Sequence, residues 1–348
     1  MKTKKTGKKV VTDAQRAEWA QEREGKIEAA KMALVTGVRA LKSGAEWAEL
    51  LKRMAVAGKL SPARLSFQNQ ILVWVQAPTT RRVATYQAWI KVGRQVRKGE
   101  KSITIMAPRP FTKTDKATGD EKRGIFFRAL PVFAEEQTDV VDASKLPGEG
   151  PMLPRIEDVE TFEHTVTDLR TYALTLDDVT AIVIRAREAG DRPGAEGWCN
   201  TKTGEIVVIE TDRTRTEQFS CLVHEIGHAT MHKWGEHHAR DVAEVEAESV
   251  AFVVCHALGL DTGKASFPYV ATWAGKGEDP VKAVLASGKR ISDAAQKILA
   301  CIADACEASA DASADEGGET MDPKPGAVVW LIVHEVEGLK YGGDRAAE

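Results

Sequence analysis

The chain contains the stretch His224-Glu-Ile-Gly-His228, in which two histidines stand four residues apart. Residues at positions i and i+4 share one face of an α-helix, so both imidazoles could bind the same zinc ion. Glu225 would stand beside the metal, where a carboxylate can act as a general base towards water. Apolar residues recur around the motif at helical spacing: Phe219, Leu222, Val223, Ile226 and Ala229. The stretch therefore predicts the active-site helix of a zinc-dependent peptidase.

A catalytic zinc ion needs a third protein ligand and keeps one position open for water. The next predicted helix, from Asp241 to Leu258, carries three glutamates in its first half. Both Glu244 and Glu246 flank the apolar face of this helix. We expect Glu244 to be the ligand, with Glu246 as the alternative, because Glu244 and Glu248 have the Glu-x-x-x-acid spacing of peptidases whose third ligand is a glutamate. Glu248 is expected to orient a ligand histidine through a hydrogen bond without touching the metal.

Other side chains near the motif have less specific spacing. His232 continues the row of histidines but lacks the glycine and the longer spacing of peptidases with three histidine ligands. We therefore expect it to have a structural role or to contact a ligand residue, without binding the metal itself. Tyr269 could donate a hydrogen bond to a developing oxyanion, although packing of its ring is the simpler alternative. Upstream, Ile206-Val-Val-Ile209 is expected to form the sheet edge that holds an extended substrate.

Length and composition are those of a globular protein with room for two cores, since the 348 residues are 43% hydrophobic and 28% charged. The longest apolar run, Ala327-Val-Val-Trp-Leu-Ile-Val333, has the length of a strand. No apolar segment follows the basic N-terminus, so a secretion signal is not expected. We therefore expect no membrane partner and a cytoplasmic location. The five cysteines include no Cys-x-x-Cys pair and are expected to be reduced.

The order of predicted elements indicates an α+β protein of two domains. Its predicted parts are N-terminal helices with a small α+β nucleic-acid-binding domain (1–138), a linker (139–155), a mainly helical zincin-like metallopeptidase domain with a small sheet (156–305), an acidic disordered segment (306–324) and a short C-terminal extension (325–348). Helices are predicted at 13–57, 62–76, 83–92, 156–173 and 280–306, strands at 102–107, 125–133 and 179–184, a basic loop at 93–99 and a hairpin tip at 113–124.

Charge is distributed unevenly, although the net charge is only −3. Residues 79–128 contain thirteen Lys or Arg against four Asp or Glu. Cationic and aromatic side chains interleave there, as in proteins that follow the phosphates of a single strand and stack its bases on rings. A solvated charged surface around an aromatic core is the alternative. The residues expected to contact nucleic acid are Arg81, Arg82, Trp89, Lys91, Arg94, Arg97, Lys98 and Lys101.

The basic region resembles the N-terminal domain of the ArdC-type antirestriction proteins, through Leu65-Ser-Phe-Gln-Asn69-Gln-Ile-Leu72, Val83-Ala-Thr-Tyr86-Gln-Ala-Trp89, the loop from Gly93 to Lys101, and Pro131-Val-Phe133. The second half is similar to the ImmA/IrrE-type zinc peptidases, through the segments 224–232 and 244–251. The ArdC architecture joins these two units in this order. The resemblance implies single-stranded DNA as a partner, a metallopeptidase fold that binds Zn²⁺ in the second domain, and protection of incoming plasmid or phage DNA from restriction.

Two other functions remain open at this point. A regulatory metallopeptidase could cleave a DNA-associated protein such as a repressor, with no role in restriction. Alternatively, the chain could be a DNA-binding protein whose peptidase domain is catalytically idle, although the intact Glu225 argues against gross inactivation. The protein substrate cannot be read from the sequence, because extended peptides bind through backbone pairing and shallow pockets.

Overall fold

The protein combines helices with small sheets and is mainly helical, which confirms the predicted α+β class. The computed structural model describes residues 12–41, 43–60, 65–80, 82–114, 121–146, 153–191, 193–200, 202–210, 214–232, 239–262, 267 and 279–315. Within these ranges, none of the helices has the combined length and apolar character that crossing a lipid bilayer requires. The predicted extension at 325–348 lies outside the described residues.

Three helices come first: α1 (Asp13–Ala40), α2 (Gly44–Leu60) and α3 (Phe67–Gln76). The prediction of one continuous helix over 13–57 is wrong, because the chain leaves the helix after Ala40. Ser43 and Glu46 start a new helix with reciprocal hydrogen bonds. The backbone N–H of Ser43 donates to the Glu46 carboxylate at 2.8 Å, and the N–H of Glu46 donates to Ser43 Oγ at 3.5 Å. This capping box explains the break.

A β-rich segment follows the third helix. It contains β1 (Val83–Ala84), α4 (Tyr86–Lys91), β2 (Arg94–Val96), β3 (Ile103–Thr114), β4 (Glu121–Ala134) and β5 (Thr138–Val140). One sheet has the order β1-β4-β3, and β2 pairs with β5 in a second, two-stranded sheet. The hairpin of β3 and β4 is longer than predicted, since antiparallel pairing runs from Ile103–Val132 to Thr114–Glu121. The predicted basic loop at 93–99 contains β2, whose partner β5 crosses the predicted boundary between the first domain and the linker.

The second half alternates helices with a three-stranded sheet. Its elements are α5 (Val159–Ala173), β6 (Ala181–Ala186), β7 (Gly197–Asn200), β8 (Glu205–Glu210), α6 (Arg215–Met231), α7 (Arg240–Ala257) and α8 (Pro280–Asp315). The strand order is β6-β8-β7, with β6 parallel and β7 antiparallel to β8. The prediction that 206–209 forms the sheet edge is therefore wrong, because β8 is the central strand. The edge strand β7 has only four residues after a Gly- and Pro-containing turn, too few to show alternation.

The last helix also differs from its predicted extent. α8 continues to Asp315, so residues 306–315 are helical, whereas we predicted them to be disordered together with 316–324. Alanine recurs through this part of the sequence, and alanine has the highest helix propensity of all residues. The remainder of the acidic segment lies outside the described residues.

A single hydrophobic core joins the first three helices to the second half of the chain. The side chains of Trp47 on α2, Leu72 on α3, Val254 on α7 and Ile298 on α8 are all fully buried in it. Two smaller apolar clusters lie beneath the sheets of the β-rich segment. Burial of this kind stabilises a fold by about 25 cal/mol for each Å² of apolar surface removed from water. The domain boundaries drawn from the sequence stay a prediction.

Candidate metal centre

Helix α6 carries the histidine motif and begins at a well-formed cap. Thr214 Oγ1 accepts a hydrogen bond from the N–H of Glu217 at 3.3 Å, and the Glu217 carboxylate accepts one from the N–H of Thr214 at 2.9 Å. The apolar face of the helix is buried in the core through Phe219, Leu222, Val223 and Ile226. His224 and His228 lie on the opposite side and are half-buried, so their rings face a space between α6 and α7.

Three donor atoms from these two helices converge there. His224 Nε2 lies 3.1 Å from His228 Nε2, and Glu244 Oε2 lies 3.4 Å from the first nitrogen and 3.5 Å from the second. Tetrahedral zinc with bonds of about 2.0–2.1 Å separates its ligand atoms by about 3.3 Å. The triangle therefore has the size that a tetrahedral ion requires, and the donor set of two imidazoles and one carboxylate fits zinc.

The structure separates the glutamates of α7 by position. Glu244 faces the two histidines, whereas Glu246 is fully buried on another side of the helix and contacts His232 and Arg290. Geometry thus favours Glu244 over Glu246 as the third ligand. Glu248 Oε2 lies 3.4 Å from His224 Nδ1, the nitrogen that faces away from the donor triangle. This is the position from which a carboxylate can orient a ligand histidine.

Electrostatics at the triangle keeps the carboxylate ionised. Hydrogen bonds with His224 and His228 hold the pKa of Glu244 well below its usual range. Burial lowers the pKa of His224, but hydrogen bonds to Glu244 and Glu248 outweigh burial and raise that pKa to about 9. A protonated His224 therefore compensates the negative charges when no cation is bound, and metal binding has to displace that proton.

Glu225 lies beside the donor triangle and against the edge strand. Its side chain is only 8% exposed. A Cβ atom on Gly197 of β7 would come within 3.2 Å of Glu225 Cγ and 2.8 Å of Cys221 Sγ. The edge strand therefore approaches α6 so closely at this point that only glycine fits without displacement.

The predicted nucleic-acid residues fall into different environments. Trp89 is fully buried and its Nε1 donates to the carbonyl of Phe133 at 2.9 Å, so the expectation that its ring is available for stacking on a base is wrong. Arg94 forms an ion pair with Glu135 at 3.5 Å, and Arg97 pairs with Glu100 and Asp139 at 3.0 and 3.2 Å. These intramolecular partners already compensate both guanidinium groups.

The remaining cations of the set are more accessible. Lys91, Lys98 and Lys101 are exposed, and Arg82 is half-buried at 3.7 Å from a Glu135 carboxylate oxygen. Arg81 and Tyr269 lie outside the described residues, so their predicted roles stay predictions. No motif or spacing in the sequence singles out Arg290 or β7. Arg290 stands 44 residues from Glu246 and carries no local motif.

Exposed aromatic rings occur instead on the β3–β4 hairpin. Phe111, Phe126 and Phe127 are 42%, 52% and 50% exposed, and the rings of Phe111 and Phe126 are 6.1 Å apart. Residues paired across an antiparallel ladder share a face. The pairing of Arg109 with Phe126 and of Ala107 with Arg128 therefore places two arginines on the same face as Phe111 and Phe126. Sequence reasoning included the phenylalanines in the basic region but could not tell which rings were exposed.

Residues 38–136 are similar to a known protein family. Residues 38–136 match the family described as the N-terminal domain of anti-restriction factor ArdC. The matched residues include α2, α3 and most of the β-rich segment. The match confirms, for residues 38–136, the resemblance to an ArdC N-terminal domain that the sequence predicted.

More distant similarities extend over more of the chain. An uncharacterized protein of Bacillus anthracis is 28% identical over 262 residues, which are 66% of this chain and 43% of that relative. The chain thus spans less than half the length of the curated relative that it matches. The metal-free crystal structure of the antirestriction ArdC protein from the R388 plasmid is 21% identical, with 70% of this chain and 85% of that chain covered at a TM-score of 0.44. The Mn(II)-bound structure of the same protein is 19% identical. It covers 70% of this chain and 84% of that chain at a TM-score of 0.39.

Proposed function

We propose that the second half of the chain is a zinc-dependent peptidase that holds its metal ion through His224, His228 and Glu244. The observation that carries this proposal is the triangle of 3.1–3.5 Å among the three donor atoms. Neutral imidazole and carboxylate suit zinc, and divalent manganese binds more weakly than zinc to a site of this kind. Bound zinc supplies Lewis-acid chemistry, because it lowers the pKa of water towards about 7 and polarises a carbonyl group.

Glu225 is the proposed general base. It would accept a proton from the attacking water and return that proton to the leaving amine. The edge strand supports this role, because within the described residues β7 pairs with β8 alone. An extended peptide could add to its other side through backbone hydrogen bonds. Gly197 of β7 lies against Cys221 and Glu225, since a Cβ atom on this glycine would come within 2.8 Å of Cys221 Sγ and 3.2 Å of Glu225 Cγ, so a peptide added to β7 would run near the proposed base.

Two variants test the peptidase. Glu225→Gln should retain zinc, measured as metal per chain, and should cleave no member of a mixture of unstructured peptides that the unaltered protein digests. His224→Ala should lose the metal as well as the cleavage. The proposal fails if neither the unaltered protein nor the variants bind zinc, or if Glu225→Gln cleaves the same peptides at a similar rate.

We further propose that the N-terminal domain binds single-stranded DNA on the β3–β4 hairpin and the neighbouring lysines. Support comes from the face that combines Phe111, Phe126, Arg109 and Arg128, because exposed rings stack on unpaired bases while cations follow phosphates. Lys98 and Lys101 are exposed and stand just before β3, so they add positive charge where the chain enters the hairpin. This arrangement shifts the expected stacking from the buried Trp89 to the hairpin.

Affinity for an oligothymidylate of about 20 nucleotides tests this surface. Phe126→Ala should weaken binding by about 1–3 kcal/mol through lost stacking. Replacing Lys98 and Lys101 by alanine should reduce the dependence of log K on log salt by roughly 0.7 for each lost phosphate contact. Val141→Ala is the matched control, because Val141 is 66% exposed and is not aromatic. Unchanged affinity in both test variants would refute the proposal that this surface binds single-stranded DNA.

The biological role that we propose is protection of incoming plasmid or phage DNA from host restriction. The match of residues 38–136 to the N-terminal domain of anti-restriction factor ArdC supports it. Plasmid transfer into restricting and non-restricting hosts should show protection by the unaltered chain only in the restricting host. Protection that is lost in Glu225→Gln would require peptidase activity, and protection that persists would favour a DNA-binding protein with an idle site. An effect on plasmid transfer that is equal in restricting and non-restricting hosts would point to a regulatory peptidase.

A further inference from the structure

A chain of hydrogen bonds leads from His228 into the interior, away from the donor triangle. His228 Nδ1 lies 3.1 Å from His232 Nδ1, and His232 Nε2 lies 2.9 Å from Glu246 Oε2. His232 is the C-terminal cap of α6, so the two histidines are one turn apart and their rings lie beside each other. The three side chains form a continuous path from a proposed metal ligand to a buried carboxylate.

Arg290 of α8 closes this path. Its Nε donates to both carboxylate oxygens of Glu246 at 3.1 and 3.0 Å, and its Nη2 donates to Glu246 Oε1 and, at 3.2 Å, to Ser287 Oγ. Glu246 is fully buried, whereas the guanidinium of Arg290 retains some exposure. Burial raises the pKa of Glu246, but hydrogen bonds from His232 and Arg290 outweigh burial and lower it to about 2. The hydrogen bonds from Arg290 therefore hold the Glu246 carboxylate in place against His232.

The hydrogen-bond directions are consistent along the whole path. When His228 binds metal through Nε2, its proton resides on Nδ1, which must donate. His232 Nδ1 then accepts, so a neutral His232 carries its own proton on Nε2 and donates it to Glu246. At each bond of the path, one group donates and its neighbour accepts. Arg290 can only donate, and the Glu246 carboxylate accepts from it.

The other ligand histidine has a shorter version of the same support. Glu248 contacts His224 Nδ1 directly at 3.4 Å. Both supporting carboxylates stand on α7, on either side of Ala247, while Glu244 of the same helix completes the donor triangle. A carboxylate thus acts on the rear nitrogen of each histidine, directly for His224 and through His232 for His228.

We propose that His232, Glu246 and Arg290 are positioning residues that fix the ring orientation and tautomer of His228 and strengthen it as a metal ligand. The proposal rests on the metal centre proposed above. It adds α8 to that centre, although no residue of α8 is among the donor atoms. Partners behind a ligand histidine commonly change metal affinity by about 10–100-fold.

The test measures zinc affinity of the full chain by competition with a chromophoric chelator. Arg290→Gln and His232→Phe should each raise the dissociation constant by about 10–100-fold. Lys289→Gln is the matched control on the same helix, because Lys289 is exposed and pairs with Asp293 outside the path. It should leave the affinity unchanged.

A second variant separates positioning from stability. Removing one partner of a buried ion pair can unfold a protein, whereas replacing both partners by apolar residues is often neutral or stabilising. The double variant Glu246→Leu with Arg290→Met should therefore regain thermal stability but keep the weakened zinc affinity. Recovery of affinity together with stability would overturn the proposal, as would unchanged affinity in Arg290→Gln. Absence of zinc binding in the unaltered chain would instead overturn the metal centre itself.

Discussion

The indole Nε1 of Trp47 donates a hydrogen bond of 3.0 Å to Ser249 Oγ, and both side chains are fully buried. The two residues stand 202 positions apart in the sequence. The bond joins α2 to α7, the helix that carries Glu244. Ser249 directly follows Glu248, whose carboxylate faces His224. The N-terminal helices therefore pack against α7 and support the helix that carries one residue of the candidate metal centre.

Trp47→Phe should lower the free energy of unfolding by about 1–3 kcal/mol. The substitution removes the donor to the buried hydroxyl of Ser249, and an unsatisfied buried polar group carries a cost of this size. Urea unfolding measures the loss. Trp19→Phe is the control, since Trp19 is 46% exposed, and it should change stability by less than about 0.5 kcal/mol. Equal losses in the two variants would argue against the role of this bond.

Zinc should stabilise the folded chain. At a hundred times its dissociation constant, a ligand specific for the folded state adds about 2.7 kcal/mol to the free energy of unfolding. The midpoint of thermal unfolding should therefore rise with zinc and fall back after chelation. His228→Gln should abolish the rise, whereas His164→Gln on exposed α5 surface should preserve it. A rise of the same size in His228→Gln would place the zinc elsewhere.

Gly197→Ala should impair cleavage while zinc stays bound. The new methyl group would lie 2.8 Å from Cys221 Sγ, 3.0 Å from the carbonyl oxygen of Val207 and 3.2 Å from Glu225 Cγ. Overpacking of this kind typically costs about 1–3 kcal/mol, and here it pushes β7 away from the proposed base. Gly25→Ala is the control, because nothing lies within 4 Å of the added atom. Normal cleavage by Gly197→Ala would show that the close approach is dispensable.

Acid should weaken the turn that leads into β7. Both oxygens of Asp191 accept hydrogen bonds from Arg185 at 2.9 Å, and these bonds with the N–H of Glu188 lower the pKa of Asp191 from 3.8 to about 2. A depressed pKa in the folded state contributes stability above pH 4, and that contribution is lost as the pH falls towards 2. Asp191→Asn should therefore reduce stability at neutral pH and flatten its decline between pH 4 and 2. The exposed Asp177→Asn should keep the parental profile.

Local patterns in the sequence predicted the parts of the site that local geometry creates. The i, i+4 spacing of His224 and His228 determines that their rings share a helix face. The periodicity of α7 limited the third ligand to Glu244 or Glu246, and the spacing from Glu244 to Glu248 favoured Glu244. The break between α1 and α2 also has a local signal, the Ser43-x-x-Glu46 capping box, although helical periodicity over 13–57 obscured it. Propensity and spacing report on neighbours within one or two turns.

Features that depend on distant residues could not be predicted in this way. The contact between Glu246 and Arg290 joins two helices whose crossing no periodicity specifies. Burial of Trp89 depends on how α4 packs against β4, so composition could not distinguish this ring from the exposed Phe126. The edge position of β7 follows from strand order, which a run of four residues does not encode.

The core shared by both halves limits which segments of this chain can be replaced by those of a relative. The chain leaves a helical body after α3, forms the hairpin and its small sheets over 82–146, and returns to the same body at α5. A chimaera that receives only 82–146 from a relative would keep Phe67 and Ser249, which contact Trp47, in place. A graft cut at residue 138 would bring foreign helices against α7 and α8. The natural cassette for altering the proposed DNA recognition is therefore the inner segment, and α1–α3 are inherited with the candidate metal centre.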